Sequence, residues 1–149
     1  LNKGGWGRDC RKGGAEMPSS AAPTTADQPV FSDAFISPGT HINAIGSFQP
    51  AVREVPSATI HRARVFADQK AAVIKESGDI RIPINEGVIS EDHIIAELGE
   101  ISAGEKAGRI SDEDITLFKS VGNAIQDLYA ANLVYEKAIR ADLGQKLAF

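Results

Sequence analysis

From residue 24 onward, short apolar runs alternate with longer amphipathic ones. Thr40-His41-Ile42-Asn43-Ala44-Ile45-Gly46 follows the turn pair Pro38-Gly39. It sets Ile42 and Ala44 on one side, the two-residue period of a strand. Ala63-Arg64-Val65-Phe66-Ala67-Asp68 reads as a second strand, closed by an acid. Residues 69–76 carry Ala71, Ala72 and Val73 among good helix formers, and Ser77-Gly78 supplies a stop. Ser90-Glu91-Asp92-His93 is predicted to open a further helix, with Ser90 as its cap, acids in its first turn, and Gly99 and Gly104 at its end. Ser111-Asp112-Glu113-Asp114 leads into a strand at Ile115-Thr116-Leu117-Phe118. After Gly122, residues Ala124, Leu128, Ala131, Tyr135 and Ala138 recur at steps of four and three, one helix face built largely of small side chains. Strand and helix in alternation predict an α/β fold with parallel strands.

The first 23 residues differ in kind. They hold five glycines and two prolines with no apolar period, so nothing offsets the entropy of ordering them. The stretch is expected to be a disordered or loosely attached, foreign-looking leader. Gly5-Trp6-Gly7 resembles the start of a dinucleotide-binding loop, but Cys10 stands where a third small residue belongs, and neither strand nor helix flanks it. Leu1 in place of Met points to a piece of a longer chain.

Composition narrows the function classes. The 149 residues suffice for one core, and 42% apolar with 24% charged is a globular balance. Sixteen basic against 20 acidic residues give a formal charge of −4, which argues against a nucleic-acid or anionic-membrane partner. One cysteine cannot close an intrachain disulfide, and the three histidines show no metal-ligand spacing. No apolar run approaches the roughly 20 residues that span a bilayer. A cytoplasmic location is expected.

Three stretches carry a resemblance: Pro38-Gly39-Thr40-His41-Ile42-Asn43-Ala44-Ile45-Gly46-Ser47, Glu76-Ser77-Gly78-Asp79-Ile80, and Phe118-Lys119-Ser120-Val121-Gly122-Asn123-Ala124-Ile125-Gln126-Asp127. With Ala96-Glu97-Leu98-Gly99-Glu100-Ile101 between the last two, their order and spacing resemble the ornithine cyclodeaminase/mu-crystallin family over residues 24–149. The resemblance implies the C-terminal part of a Rossmann NAD(P)-binding domain, with a C-terminal helix returning to a second domain for substrate and dimerisation. The expected division is a leader over 1–23, a partial NAD(P)-binding domain over 24–118, and a helical segment of the second domain over 119–149. The family's N-terminal substrate domain and its glycine-rich phosphate loop have no counterpart here, so the chain by itself is expected to be inactive.

The resemblance also assigns candidate residues. Ile45, Gly46 and Ser47 match positions that touch the cofactor near its nicotinamide, and a glycine there lets backbone approach a ligand; the plain alternative is a strand-to-loop turn. Ornithine cyclodeaminases carry an aspartate acid/base two residues after that glycine. This chain has Phe48, which transfers no proton, so no catalytic residue is assigned. Gly46-Ser47-Phe48-Gln49-Pro50 is closer to the ketimine-reducing branch, which includes pyrroline-2-carboxylate reductases and mu-crystallin. Ser120 matches a cofactor contact, or else simply caps the following helix. Val121 matches a substrate contact, and Thr25 a contact on the adenosine side.

Arg53 either pairs with a phosphate or carboxylate, or forms a surface pair with Glu54. His41, His61 and His93 read as packed or surface histidines, Asp68 and Glu76 as loop-ordering acids, and Asp112-Glu113-Asp114 as an acidic entry to a strand. No metal is expected. The implied reaction is NAD- or NADP-dependent chemistry at the carbon–nitrogen bond of a small amino or cyclic imino acid. Ketimine reduction is favoured, with ornithine cyclodeamination or mu-crystallin-like binding as alternatives, in a homodimeric full-length parent.

Overall fold

A computed structural model of the chain describes residues 26–145 and 147, together with the backbone of residues 19–22. Thr25, Cys10 and the Gly5-Trp6-Gly7 stretch lie outside the described residues. Among the described residues five strands form one parallel sheet: β1 (Ser19–Ala22), β2 (His41–Ala44), β3 (Arg64–Ala67), β4 (Ile94–Glu97) and β5 (Thr116–Lys119). Their order across the sheet is β1-β2-β5-β3-β4, so β5, the last of them in the chain, is inserted at the centre. Five α-helices among the same residues accompany them: α1 (Ser57–Arg62), α2 (Lys70–Glu76), α3 (Gly78–Asn85), α4 (Leu98–Ser102) and α5 (Ala124–Arg140).

Register explains which side chains meet. Ile42 pairs with Leu117 and Leu117 with Val65, while Ala44 pairs with Lys119 and Lys119 with Ala67. Paired residues of parallel strands share a face, so these six point to one side. There the apolar ones join Val55, Ile60, Val73 and Ile80 in a buried cluster. Each large aliphatic side chain so buried contributes roughly 1.5–3 kcal/mol. The opposite face, where Asn43, Phe66 and Phe118 project, borders a largely apolar hollow of about 470 Å³ closed by Leu98, Ile101 and Arg109. The Arg109 guanidinium donates to the carbonyls of Gly39 and Asp114 and to Thr116 Oγ1, tying together the two loops that lead into β2 and β5.

The structure departs from the sequence expectations at four places. Strand β1 lies within the stretch read as an unstructured leader, where it pairs with β2; a run of small residues has no apolar period to announce a strand. Ser90 does not open a helix. One 3-10 turn at Glu91–His93 leads straight into β4, and the Ser90 side chain caps nothing. The β-branched pair Ile94-Ile95 suits a strand beside β3 better than a helix. Helix α2 does stop at Glu76, but α3 begins at once and continues through Pro83. Gly78 is there for space, since a Cβ on it would lie 2.0 Å from the Val52 carbonyl oxygen. Finally, α5 is capped by Asn123, whose side chain accepts from the Ile125 N–H, and not by Ser120.

Candidate functional site

All strands run the same way, so the loops after β2, β3 and β5 emerge on one edge of the sheet. In parallel sheets ligands collect beyond the carboxyl ends of the strands. Ala44, Lys119 and Ala67 stand in register as the last residues of three adjacent strands. Ile45 and Gly46, Ser120 and Val121, and Asp68 therefore come together along this edge.

The loop after β3 is held through Asp68. Its Oδ2 accepts from Ser120 Oγ at 2.6 Å and from the Val121 and Gly122 N–H groups at 3.2 Å each, while its Oδ1 accepts from Gln69 N–H. Ser120 Oγ also accepts from Gly122 N–H. Gly122 sits at φ +91, a left-handed conformation costly for other residues, and open space lies where its Cβ would project. The Ser120 hydroxyl thus binds the acid at the end of the neighbouring strand. No partner for Asp68 is visible along the chain; only the insertion of β5 beside β3 provides one.

The loop after β2 is pinned more heavily. Glu54 Oε2 accepts from the Gly46 and Ser47 N–H groups, both at 3.1 Å, and Ser47 Oγ donates to the Val52 carbonyl at 2.7 Å. Gly78 N–H reaches the Gln49 carbonyl at 3.0 Å. Asp79, in the first turn of α3, accepts on Oδ1 from Glu54 N–H and Val55 N–H, and its Oδ2 lies 3.0 Å from Lys119 Nζ. Glu54, Asp79 and Lys119 are all fully buried. Isolated charges could not sit there; mutual pairing and backbone donors compensate for lost water.

The loop's interior is therefore polar, with Asp79 Oδ2 and Lys119 Nζ joined by their ion pair, while its outer surface is apolar. Ile45 is 50% and Phe48 53% exposed at the edge, and Val121 is partly exposed nearby. Ser47 is buried, with its hydroxyl spent on the loop itself.

Other candidates fall elsewhere. Arg53 pairs with Glu86 at 3.0 Å and donates to Ser57 Oγ, so the expected pair with Glu54 does not form. A hydrogen bond from Ser57 and, after it, the Arg53 guanidinium hold the Glu86 carboxyl below its ordinary value, against partial desolvation. His41 bonds Thr116 Oγ1 and Asn43 on the sheet face, and His93 stacks on His61 with its Nε2 at the Ile60 carbonyl. In the acidic run, Asp114 accepts from the Ile110 and Ser111 N–H groups. No cluster of metal-ligating side chains occurs among the described residues. Nor is any helix among them long and apolar enough to cross a membrane.

Comparison with known proteins places this edge in context. The sequence profile of the ornithine cyclodeaminase/mu-crystallin family matches residues 14–142. The chain belongs to that family. A Delta(1)-pyrroline-2-carboxylate reductase of Bacillus cereus is 47% identical over 127 residues, covering 85% of this chain and 39% of that protein. The solved structure of Thermococcus litoralis Delta(1)-pyrroline-2-carboxylate reductase in complex with NADH and L-proline superposes with a TM-score of 0.77 at 48% identity, covering 87% of this chain and 39% of that one. An archaeal alanine dehydrogenase dimer with bound NAD gives a TM-score of 0.76 at 37% identity, over 88% of this chain and 41% of that one. The chain thus spans about two fifths of the length of these relatives. Its α/β fold is the C-terminal part of their NAD-binding architecture, and the family match begins within the stretch read as a leader.

Proposed function

We propose that this chain forms the nicotinamide-facing part of an NAD- or NADP-dependent enzyme that reduces a cyclic imino acid of the pyrroline-2-carboxylate type. One observation carries the reading. At the shared carboxyl edge of β2 and β5 the exposed side chains are Ile45 and Phe48, with Val121 partly exposed, whereas Glu54 and Asp68 are committed to backbone amides. A flat, weakly polar ring suits such a surface, and Gly122 leaves space above the backbone.

The family resemblance puts an acid/base aspartate at position 48 in cyclodeaminases. Phe48 can exclude water and pack against a ring, but it cannot move a proton. That favours imine reduction over deamination, as do the names of the relatives at 47% and 48% identity. Bound at this edge, a reduced nicotinamide supplies hydride chemistry at a carbon–nitrogen bond. The chain's own residues provide the surface: Ile45, Gly46 and Phe48 on one loop, Ser120 and Val121 on the other.

Thr25 is proposed on the adenosine side, and Ser47 contributes through the backbone of its loop. Residues 24–118 are proposed as the NAD(P)-binding part. Residues 119–149 would belong to a second domain that, with α5, builds the substrate site and a homodimer interface, in a cytoplasmic enzyme.

The test joins residues 24–149 to the preceding portion of the Bacillus cereus relative and measures nicotinamide absorbance with pyrroline-2-carboxylate. Loss of absorbance with the imine, and no ammonia from ornithine, is expected. Ammonia release from ornithine without imine reduction would overturn the assignment. Phe48→Asp in the same protein should yield no new deaminase activity, since a general acid needs geometry and a tuned pKa as well as a carboxylate.

A further inference from the structure

Three fully buried ionisable side chains, Glu54, Asp79 and Lys119, have no role in the chemistry proposed above. Burying a carboxylate and an ammonium costs several kcal/mol per ion before pairing, and an apolar trio would fill the same space without that penalty. Their connections suggest what the arrangement provides. Lys119 is the last residue of β5, one position before Ser120. Its Nζ lies 3.0 Å from Asp79 Oδ2, and Asp79 Oδ1 holds the N–H groups of Glu54 and Val55. Glu54 Oε2 in turn holds those of Gly46 and Ser47. Ser120 N–H returns to the Ala44 carbonyl at 3.2 Å and closes the circuit.

We propose that Glu54, Asp79 and Lys119 are positioning residues: they fix the backbone of Gly46 and Ser47, and so the outward aim of Ile45 and Phe48, relative to the turn at 120–122. The proposal rests on the nicotinamide-facing reading for its purpose, but not for its geometry. Hydrogen bonds to ionised acceptors are roughly twice as strong as neutral ones, which suits a loop whose outer surface is apolar and exposed. The docking of Gly78 against the Gln49 and Val52 carbonyls leaves the loop little room to shift as a unit. Its conformation is then set from inside by one carboxylate, and that carboxylate is set by the Asp79–Lys119 pair.

The experiment measures amide hydrogen exchange of the chain by NMR, in wild type and in Glu54→Ala, Glu54→Gln and Lys119→Met. Exchange at Gly46 and Ser47 should accelerate about tenfold or more in Glu54→Ala. In Glu54→Gln, which keeps an acceptor oxygen without the charge, the acceleration should be smaller. The amides of Ile42 and Leu117 should change less than twofold in both. Lys119→Met should accelerate the same two loop amides more than the strand amides. Should it fail to fold, the two Glu54 variants decide. Uniform acceleration of loop and strand amides, or unchanged Gly46 and Ser47, would overturn the proposal by reducing the trio to general core stability. An NADH titration of the wild-type chain joined to the preceding portion of the Bacillus cereus relative separates the two readings. Absence of binding would count against the nicotinamide site, while the exchange pattern would still decide the positioning role.

Discussion

The loop after β2 and the helix α5 follow one another across the carboxyl edge, yet they are built by opposite rules. The loop holds its interior within the sheet half: Glu54 on two amides, Ser47 on Val52, Asp79 Oδ1 on two more amides, and Asp79 Oδ2 in an ion pair with Lys119. Helix α5 has an Asn123 cap, a long run of good helix formers and no buried residue at all. Leu128 is 64% and Tyr135 65% exposed, and Ile125, Tyr129, Leu133, Val134 and Ile139 are exposed with them. Apolar residues on several sides of one helix mark it for burial on more than one side. The difference teaches that the sheet half carries its own stability, whereas α5 carries a surface for something else.

Asp79→Ala should break the first region most severely. It leaves Lys119 buried without its carboxylate, at a cost of about 3–5 kcal/mol, enough to unfold a domain of marginal stability in urea denaturation. Gly78→Ala comes next. The new Cβ must displace the Val52 carbonyl, and overpacking of that kind costs about 1–3 kcal/mol, readable as a lower urea midpoint at unchanged slope.

In the second region the contrast should reverse. Leu128→Lys with Tyr135→Ser should leave the unfolding free energy within about 0.5 kcal/mol of wild type while abolishing self-association in sedimentation. A large loss of stability there would mean that α5 finds its cover within the chain.

The smallest effect concerns acid. The Ile110 and Ser111 N–H groups, with Arg64 and Arg109 behind them, hold the Asp114 carboxyl below its ordinary value, against partial desolvation. A lowered folded-state pKa gives stability that is present above the unfolded value, near 3.9, and lost as pH falls through the folded one. Asp114→Asn should therefore lower stability slightly at neutral pH and flatten the acid limb, so that variant and wild type converge as pH falls below about 4.

The contrast also explains what could be read along the chain. The strands at 41–44, 64–67 and 116–119 and the final helix announce themselves because each is a periodic run long enough to show its face. Residues 94–97 were masked by an acid-rich, Ser-led opening that fits a helix start equally well. The pinned loop was legible only as a motif. Gly46 and Ser47 stand out, but Glu54 reads as a surface partner for Arg53, and Asp79 only as part of a family-like stretch. Lys119 had one local signal, a lysine ending an otherwise apolar strand. That it meets Asp79 depends on β5 entering between β2 and β3, and no local pattern encodes strand order. Asp68 was found for the right reason, a strand-end acid ordering loops, but its partners lie 52 to 54 residues away.

The most direct test joins the labelled chain to the preceding portion of the Bacillus cereus relative and follows its backbone amide shifts while NADH is added. Shifts concentrated at residues 45–48 and 120–122, with Leu98, Ile101 and Gly108 in the sheet-face hollow unmoved, are expected if the pinned edge receives the nicotinamide. Shifts confined to that hollow or to α5, or none at saturating NADH, would contradict it.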